Sequence, residues 1–202
     1  MKYSNILVSD PEIHPMDPFL PAEARFLLLG SFPPPQARWS MDFFYPNFRN
    51  DMWRIMGLIF YNDPEIFVQG NTFCKERIQS FCIEKGLALY DTAVKVIRGA
   101  GNASDKYLEV IEPVDLAWLL DRLPLCKSVA VTGQKAADIL LQVIAGDGFG
   151  QQLMLPLAGE YVLFHYKGKT LRFYRMISSS RAYPMSLDRK ASYYRKMFTE
   201  LL

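Results

Sequence analysis

Residues 25–32 read RFLLLGSF, a short apolar run that ends in Gly30-Ser31-Phe32. Phe26 to Leu29 leave no polar face for water. Such a run suits a strand buried on both sides, as in a parallel sheet. Downstream, residues 33–50 read PPPQARWSMDFFYPNFRN, a proline- and aromatic-rich loop. Compact domains keep a loop of that length mainly for function. Helices are predicted over Met52, Ile55, Met56 and Ile59, and over Cys74–Lys85, which Gly86 stops. GLALYDT at 86–92 reads as a second strand, 116–123 as a helix and SVAVTG at 128–133 as a third strand. A helix carrying Ala136, Ala137, Leu140, Leu141 and Ile144 follows. Tyr161–Tyr166 and Thr170–Ile177 flank Lys167-Gly168-Lys169, a hairpin signal. A last helix starts after Ser186, with Leu187, Ala191, Tyr194, Phe198 and Leu201 along one stripe. Strands alternating with helices predict a layered α/β fold with a mainly parallel sheet. Ligands of such folds sit beyond the carboxyl ends of the strands. The loops after Phe32 and after Ile177 are therefore the places to look.

At 202 residues, 50% hydrophobic and 22% charged, the chain reads as one globular domain over 1–202. No apolar run approaches the ~20 residues of a membrane span. Met1–Asp10 lacks a basic start followed by an apolar block, so no secretory signal is expected. Cys74, Cys82 and Cys126 are odd in number and lack C-x-x-C spacing. A disulfide framework, a four-cysteine zinc site and an iron–sulfur cluster are all disfavoured, and a reducing cytoplasm is expected. Residues 165–202 hold nine Lys or Arg against two acids, whereas residues 1–164 carry an excess of acids. This asymmetry fits a face for a polyanion, and it fits equally an ordinary solvated basic surface.

Two segments carry chemistry. Gly30-Ser31-Phe32-Pro33-Pro34-Pro35 ends the first strand with a glycine that permits close approach and prolines that fix the loop. It matches no nucleotide-binding glycine motif and no nucleophile elbow. Ser178-Ser179-Ser180-Arg181-Ala182-Tyr183-Pro184 follows the last strand. Its hydroxyls, amides and arginine suit phosphate oxygens, and Tyr183 with Pro184 suits a wedge between bases. Each segment alone is also compatible with an ordinary rigid turn or capping loop.

In this order and at this separation, LLLGSFPP and ISSSRAYP together resemble the uracil-DNA glycosylase superfamily. SSSRA at 178–182 resembles the second motif of thymine-DNA and mismatch-specific uracil-DNA glycosylases. FLLLGSFPP followed by FFYPNFRNDMW, within 26–53, is more similar to the hypoxanthine-DNA glycosylase branch. The resemblance spans about residues 13–200. It implies a three-layer α/β/α sandwich, damaged DNA as partner, no cofactor, no metal and a monomer. Phe32 stands where related enzymes carry the Asn or Asp that orients a water. The resemblance then passes that role to Asn50, with Asn47 or Asp51 as alternatives. Gly30, Ser31, Phe32, Phe44, Tyr45 and Asp91 are expected to meet the base. Ser178, Ser179, Ser180, Arg181, Tyr183 and Lys190 are expected to meet the DNA backbone.

Base excision breaks an N-glycosidic bond, building oxocarbenium character on the sugar and negative charge on the base. The protein must flip the nucleotide, hold the base, place donors where charge develops and position one water. No lysine is singled out as a nucleophile, so water attack without strand cleavage is expected. His14 and His165 are expected to be structural. Two further classes fit the residues: a non-catalytic nucleic-acid-binding module, favoured by Phe32, and a small-molecule α/β hydrolase or transferase.

Overall fold

The structure is a computed structural model that describes residues 10–99, 107–147 and 153–199. In chain order these form β1 (Glu12–Ile13), β2 (Phe26–Gly30), a single 3-10 turn (Gln36–Arg38), α1 (Met52–Tyr61), β3 (Val68–Gln69), β4 (Thr72–Phe73) and α2 (Lys75–Lys85). Then come β5 (Leu87–Asp91), β6 (Ala93–Arg98), β7 (Leu108–Pro113), α3 (Leu116–Asp121), β8 (Ser128–Thr132) and α4 (Gln134–Gly146). β9 (Tyr161–Tyr166), β10 (Lys169–Met176) and α5 (Leu187–Thr199) complete the order.

The main sheet has five strands in the order β5-β2-β8-β10-β9. β5, β2, β8 and β10 are parallel, and β9 is an antiparallel edge. β2, β5 and β8 are buried at every residue: their apolar stretches suit a sheet covered on both faces, and the polar Asp91, Ser128 and Thr132 at the strand ends are buried with them. The β9–β10 hairpin turns through Lys167 and Gly168, both at positive φ (44° and 79°), the paired left-handed geometry that matches strand twist. Phe26 of β2 meets Phe198 of α5, and Phe60 of α1 meets both Phe81 of α2 and Phe198. Ser186 behaves as the expected cap of α5, its hydroxyl accepting from the Arg189 amide. Leu201, expected on the α5 stripe, lies outside the described residues.

A second, three-stranded antiparallel sheet, β1-β6-β7, escapes the sequence reading. So does the short β3–β4 ribbon. AVKVIR at 93–98 does alternate, but it follows β5 after a single residue, Thr92, and merges with it into one apolar stretch. Backbone bonds from Thr92 N to Gly30 O and from Ala93 N to Ser31 O dock this sheet beside the end of β2. Among the described residues, no helix is long and apolar enough to cross a membrane.

Candidate nucleic-acid cleft

Register places Gly30 beside Asp91 and Met176 beside Thr132, so the carboxyl ends of the parallel strands reach one sheet edge. The loops that leave this edge enclose a cleft of about 540 Å³. Gly30–Pro34 line one part of it and Ser178–Ser180 another, with Tyr45, Asn47, Asn50, Asp91 and Thr132 between. The two chemistry-bearing segments, some 145 residues apart in the chain, therefore share one hollow.

A backbone staple holds them together. Asn50 and Ser180 form an antiparallel bridge, and Asp51 N donates to Ser179 O at 2.9 Å. Side chains reinforce it. Asp51 takes Arg181 Nε on Oδ1 and Lys190 Nζ on Oδ2, each at 2.9 Å. Lys190 Nζ also donates to Ser180 O at 2.7 Å. Asp51 lies outside the cleft lining, with both oxygens engaged. Lys190 is 0% exposed. This corrects the expectation that Lys190 faces the DNA backbone: its ammonium is consumed inside the protein. Arg181 is also absent from the lining, but its side chain is 48% exposed and reaches solvent beside the loop.

Asn50 lines the cleft with its side chain fixed, Oδ1 accepting from the Met52 amide at 2.9 Å. That bond satisfies one of the orphan amides at the start of α1 and leaves Oδ1 a second lone pair. Asn47 Oδ1 accepts from Arg49 N in the same way. Ser31, Phe32 and Tyr183 all line the cleft. Phe44 does not: it is 3% exposed and packs with Phe43 and Tyr90, which removes it from stacking on a ligand.

The floor is built around Asp91. A Cβ on Gly30 would overlap Asp91 Oδ1, and the Tyr45 hydroxyl is close by. Tyr45 has φ 53°, unusual for an aromatic residue, and its hydroxyl sits 3.2 Å from Thr132 Oγ1. Burial pushes the Tyr45 phenol well above its ordinary value, the Thr132 bond opposes this, and Asp91 adds to it. Tyr90 is pushed up to about 12, first by burial and then by Asp91. Both phenols stay neutral near pH 7. Asp91 is the one carboxylate of the lining among the described residues. Substituting Gly30→Ala should cut any activity of the cleft by roughly 10²-fold, because the methyl displaces a tethered carboxylate while the fold survives. Turnover measured beside far-UV circular dichroism checks this, and unchanged turnover would refute it.

Arg38 and Arg49 were not anticipated. Both line the cleft, both are exposed, and neither guanidinium has a hydrogen bond or ion pair among the described residues. They come from the acid-rich part of the chain, so net charge hid them. Much of the C-terminal basic surplus is used internally instead. Lys169 donates to Leu120 O, Arg175 to Pro156 O, Lys196 pairs with Glu160, and Arg172 covers the Tyr161 ring.

No family model matches the chain, and no curated protein matches it at a significant level. Among solved structures it is similar to a solution structure from Methanosarcina acetivorans described as a "putative Uracil DNA glycosylase", with TM-score 0.61 and 18% identity over 91% of this chain and 96% of that one. The two chains share a fold. The mainly parallel sheet expected from the sequence is present in this chain, with five strands.

Proposed function

We propose that this protein is a monofunctional DNA glycosylase that hydrolyses the N-glycosidic bond of a deaminated base, uracil or hypoxanthine, flipped out of DNA. One observation carries the reading: the segment after β2 and the segment after β10 form a single cleft that, among the described residues, has two unpaired arginines and one carboxylate on its lining. The layered sandwich of the resembling enzymes and action as a monomer belong to the same reading.

The extruded base enters between Phe32 and Tyr45, and Asp91 Oδ1 accepts from its ring N–H. Asn50 holds a water through the free lone pair of Oδ1. As the C1′–N bond breaks, its electron pair leaves with the base, where a backbone N–H of the Ser31–Phe32 turn meets the growing charge. The water oxygen bonds to C1′ and releases a proton to solvent, and the departing base takes up one. The serines of 178–180, Arg181, Arg38 and Arg49 hold the flanking phosphates, and Tyr183 fills the gap in the stack.

Oligonucleotides carrying deoxyuridine or deoxyinosine, single- and double-stranded, test this. Abasic sites that break only after alkali are expected. No base release from any deaminated lesion would refute the assignment. A second reading, a binding module without catalysis, is favoured by Phe32 at the position where a polar side chain is usual. It predicts salt-dependent binding with no base release.

Arg38→Ala and Arg49→Ala should each weaken binding to damaged and undamaged strands alike. Each should lower the slope of log affinity against log salt by about 0.7–0.9. Salt titrations of binding check this. An unchanged slope would remove that arginine from the DNA contact.

A further inference from the structure

We propose that His14 is a positioning residue for Asp91, leaving Asp91 Oδ1 as a fixed hydrogen-bond acceptor that selects bases carrying a ring N–H. This rests on the reading above in which Asp91 meets the base. His14 follows β1, whose pairing with β6 continues in a bond from His14 N to Val94 O at 2.7 Å. Its Nε2 lies 2.9 Å from Asp91 Oδ2. The side chain is 1% exposed. The ring packs 4.7 Å from Tyr90 and 5.4 Å, edge-on, from Phe32. It has no room to swing away.

The far nitrogen is served twice. Nδ1 lies 2.8 Å from Met16 O and 3.2 Å from Met16 N. The carbonyl accepts if Nδ1 bears a proton, and the amide donates if it does not. The imidazole is therefore satisfied in either tautomer. With a proton on Nε2, that proton goes to Oδ2. With Nε2 bare, it accepts from a protonated Oδ2. In both arrangements the proton lies between His14 and Oδ2, and Oδ1 keeps only lone pairs.

Oδ1 is the Asp91 oxygen nearest the space that a Cβ on Gly30 would fill, and both residues line the cleft. An acceptor fixed there discriminates at the ring nitrogen. Cytosine N3 and adenine N1 are themselves acceptors and are repelled. Deamination turns each into an N–H donor, in uracil and in hypoxanthine. The device thus separates each damaged base from its own parent. Thymine and guanine share the ring N–H, so their exclusion falls to other walls of the cleft.

The test is equilibrium binding to strands carrying a non-hydrolysable 2′-fluoroarabino uridine or cytidine. The wild type should prefer the uridine analogue by about tenfold, the worth of one charge-assisted bond. His14→Gln still offers an N–H to Oδ2 and should keep most of that preference. His14→Phe fills the same aromatic space without a donor and should reduce it to less than about twofold, leaving affinity for undamaged strands unchanged. Preference retained in His14→Phe, equal loss in both variants, or no preference in the wild type would each overturn the proposal. A measurement on the wild type guards against a misfolded variant. The His14 ring N–H should appear by NMR as a slowly exchanging signal, and rapid exchange would overturn the buried pairing. Lesion preference that depends on His14 without base release would defeat the glycosylase reading and leave this one standing.

Discussion

Replacing Lys190 by methionine should destabilise the protein by about 3 kcal/mol, the lower end of what breaking a buried ion pair costs. The ammonium is fully buried and bonds Asp51 Oδ2 and Ser180 O. Methionine fills similar space but leaves both acceptors without that donor. Arg181 stays on Asp51 Oδ1, and being half-exposed it compensates only in part. For a domain near 200 residues, such a loss lowers the midpoint of thermal unfolding by about 6–12 °C. Pairing Lys190→Met with Asp51→Leu removes the stranded carboxylate and should recover part of the loss, a coupling that a double-mutant cycle measures. The staple also shapes the cleft: without Lys190 the Ser178–Ser180 loop loses one of its two side-chain anchors, and DNA affinity should fall with stability. A variant within about 0.5 kcal/mol of wild type would show that the backbone bridge between Asn50 and Ser180 suffices alone.

Lys190 also marks where sequence reading stops. The runs Phe26–Leu29, Leu87–Leu89 and Val129–Val131 announce burial because they are apolar without a break, whereas nothing local shows that Asp91, Ser128 and Thr132 at the ends of β5 and β8 are buried with them. The cap at Ser186 and the turn at Lys167-Gly168 are local and equally legible. A lysine in a basic helix gives no such sign, since nothing nearby in sequence shows that its partner is Asp51, 139 residues away. His14 is the same case, its partner Asp91 lying 77 residues on. A histidine in IHPMDP cannot be told from a structural one until β1 is seen to pair with β6. Arg38 and Arg49 are invisible to a charge balance taken by segment, whereas a cleft samples charge by position. Phe44 and Tyr45 are neighbours of similar type in one loop, yet one joins the core and the other the cleft. The positive φ at Tyr45 marks the point where the chain changes direction between them.

Asn50→Ala should lower base release by about 10²–10³-fold while lesion binding stays within about threefold, the scale of losing one placed polar group in a transition state. Under the proposed function, binding survives because phosphates and base would be held by other groups, among them Ser178–Ser180 and Asp91. Alanine also removes the acceptor for Met52 N–H, a loss of about 1 kcal/mol at the start of α1. Asn50→Ser separates the two effects: its shorter hydroxyl still caps the amide but withdraws from the cleft, so stability should return and turnover should not. Asn50→Asp keeps both the cap and an acceptor for water, and should retain turnover within about tenfold. If Asn50→Ala releases base at the wild-type rate, the water is held elsewhere. Asp91, the one carboxylate of the lining among the described residues, would then carry it, and Asp91→Asn would become the variant that loses turnover.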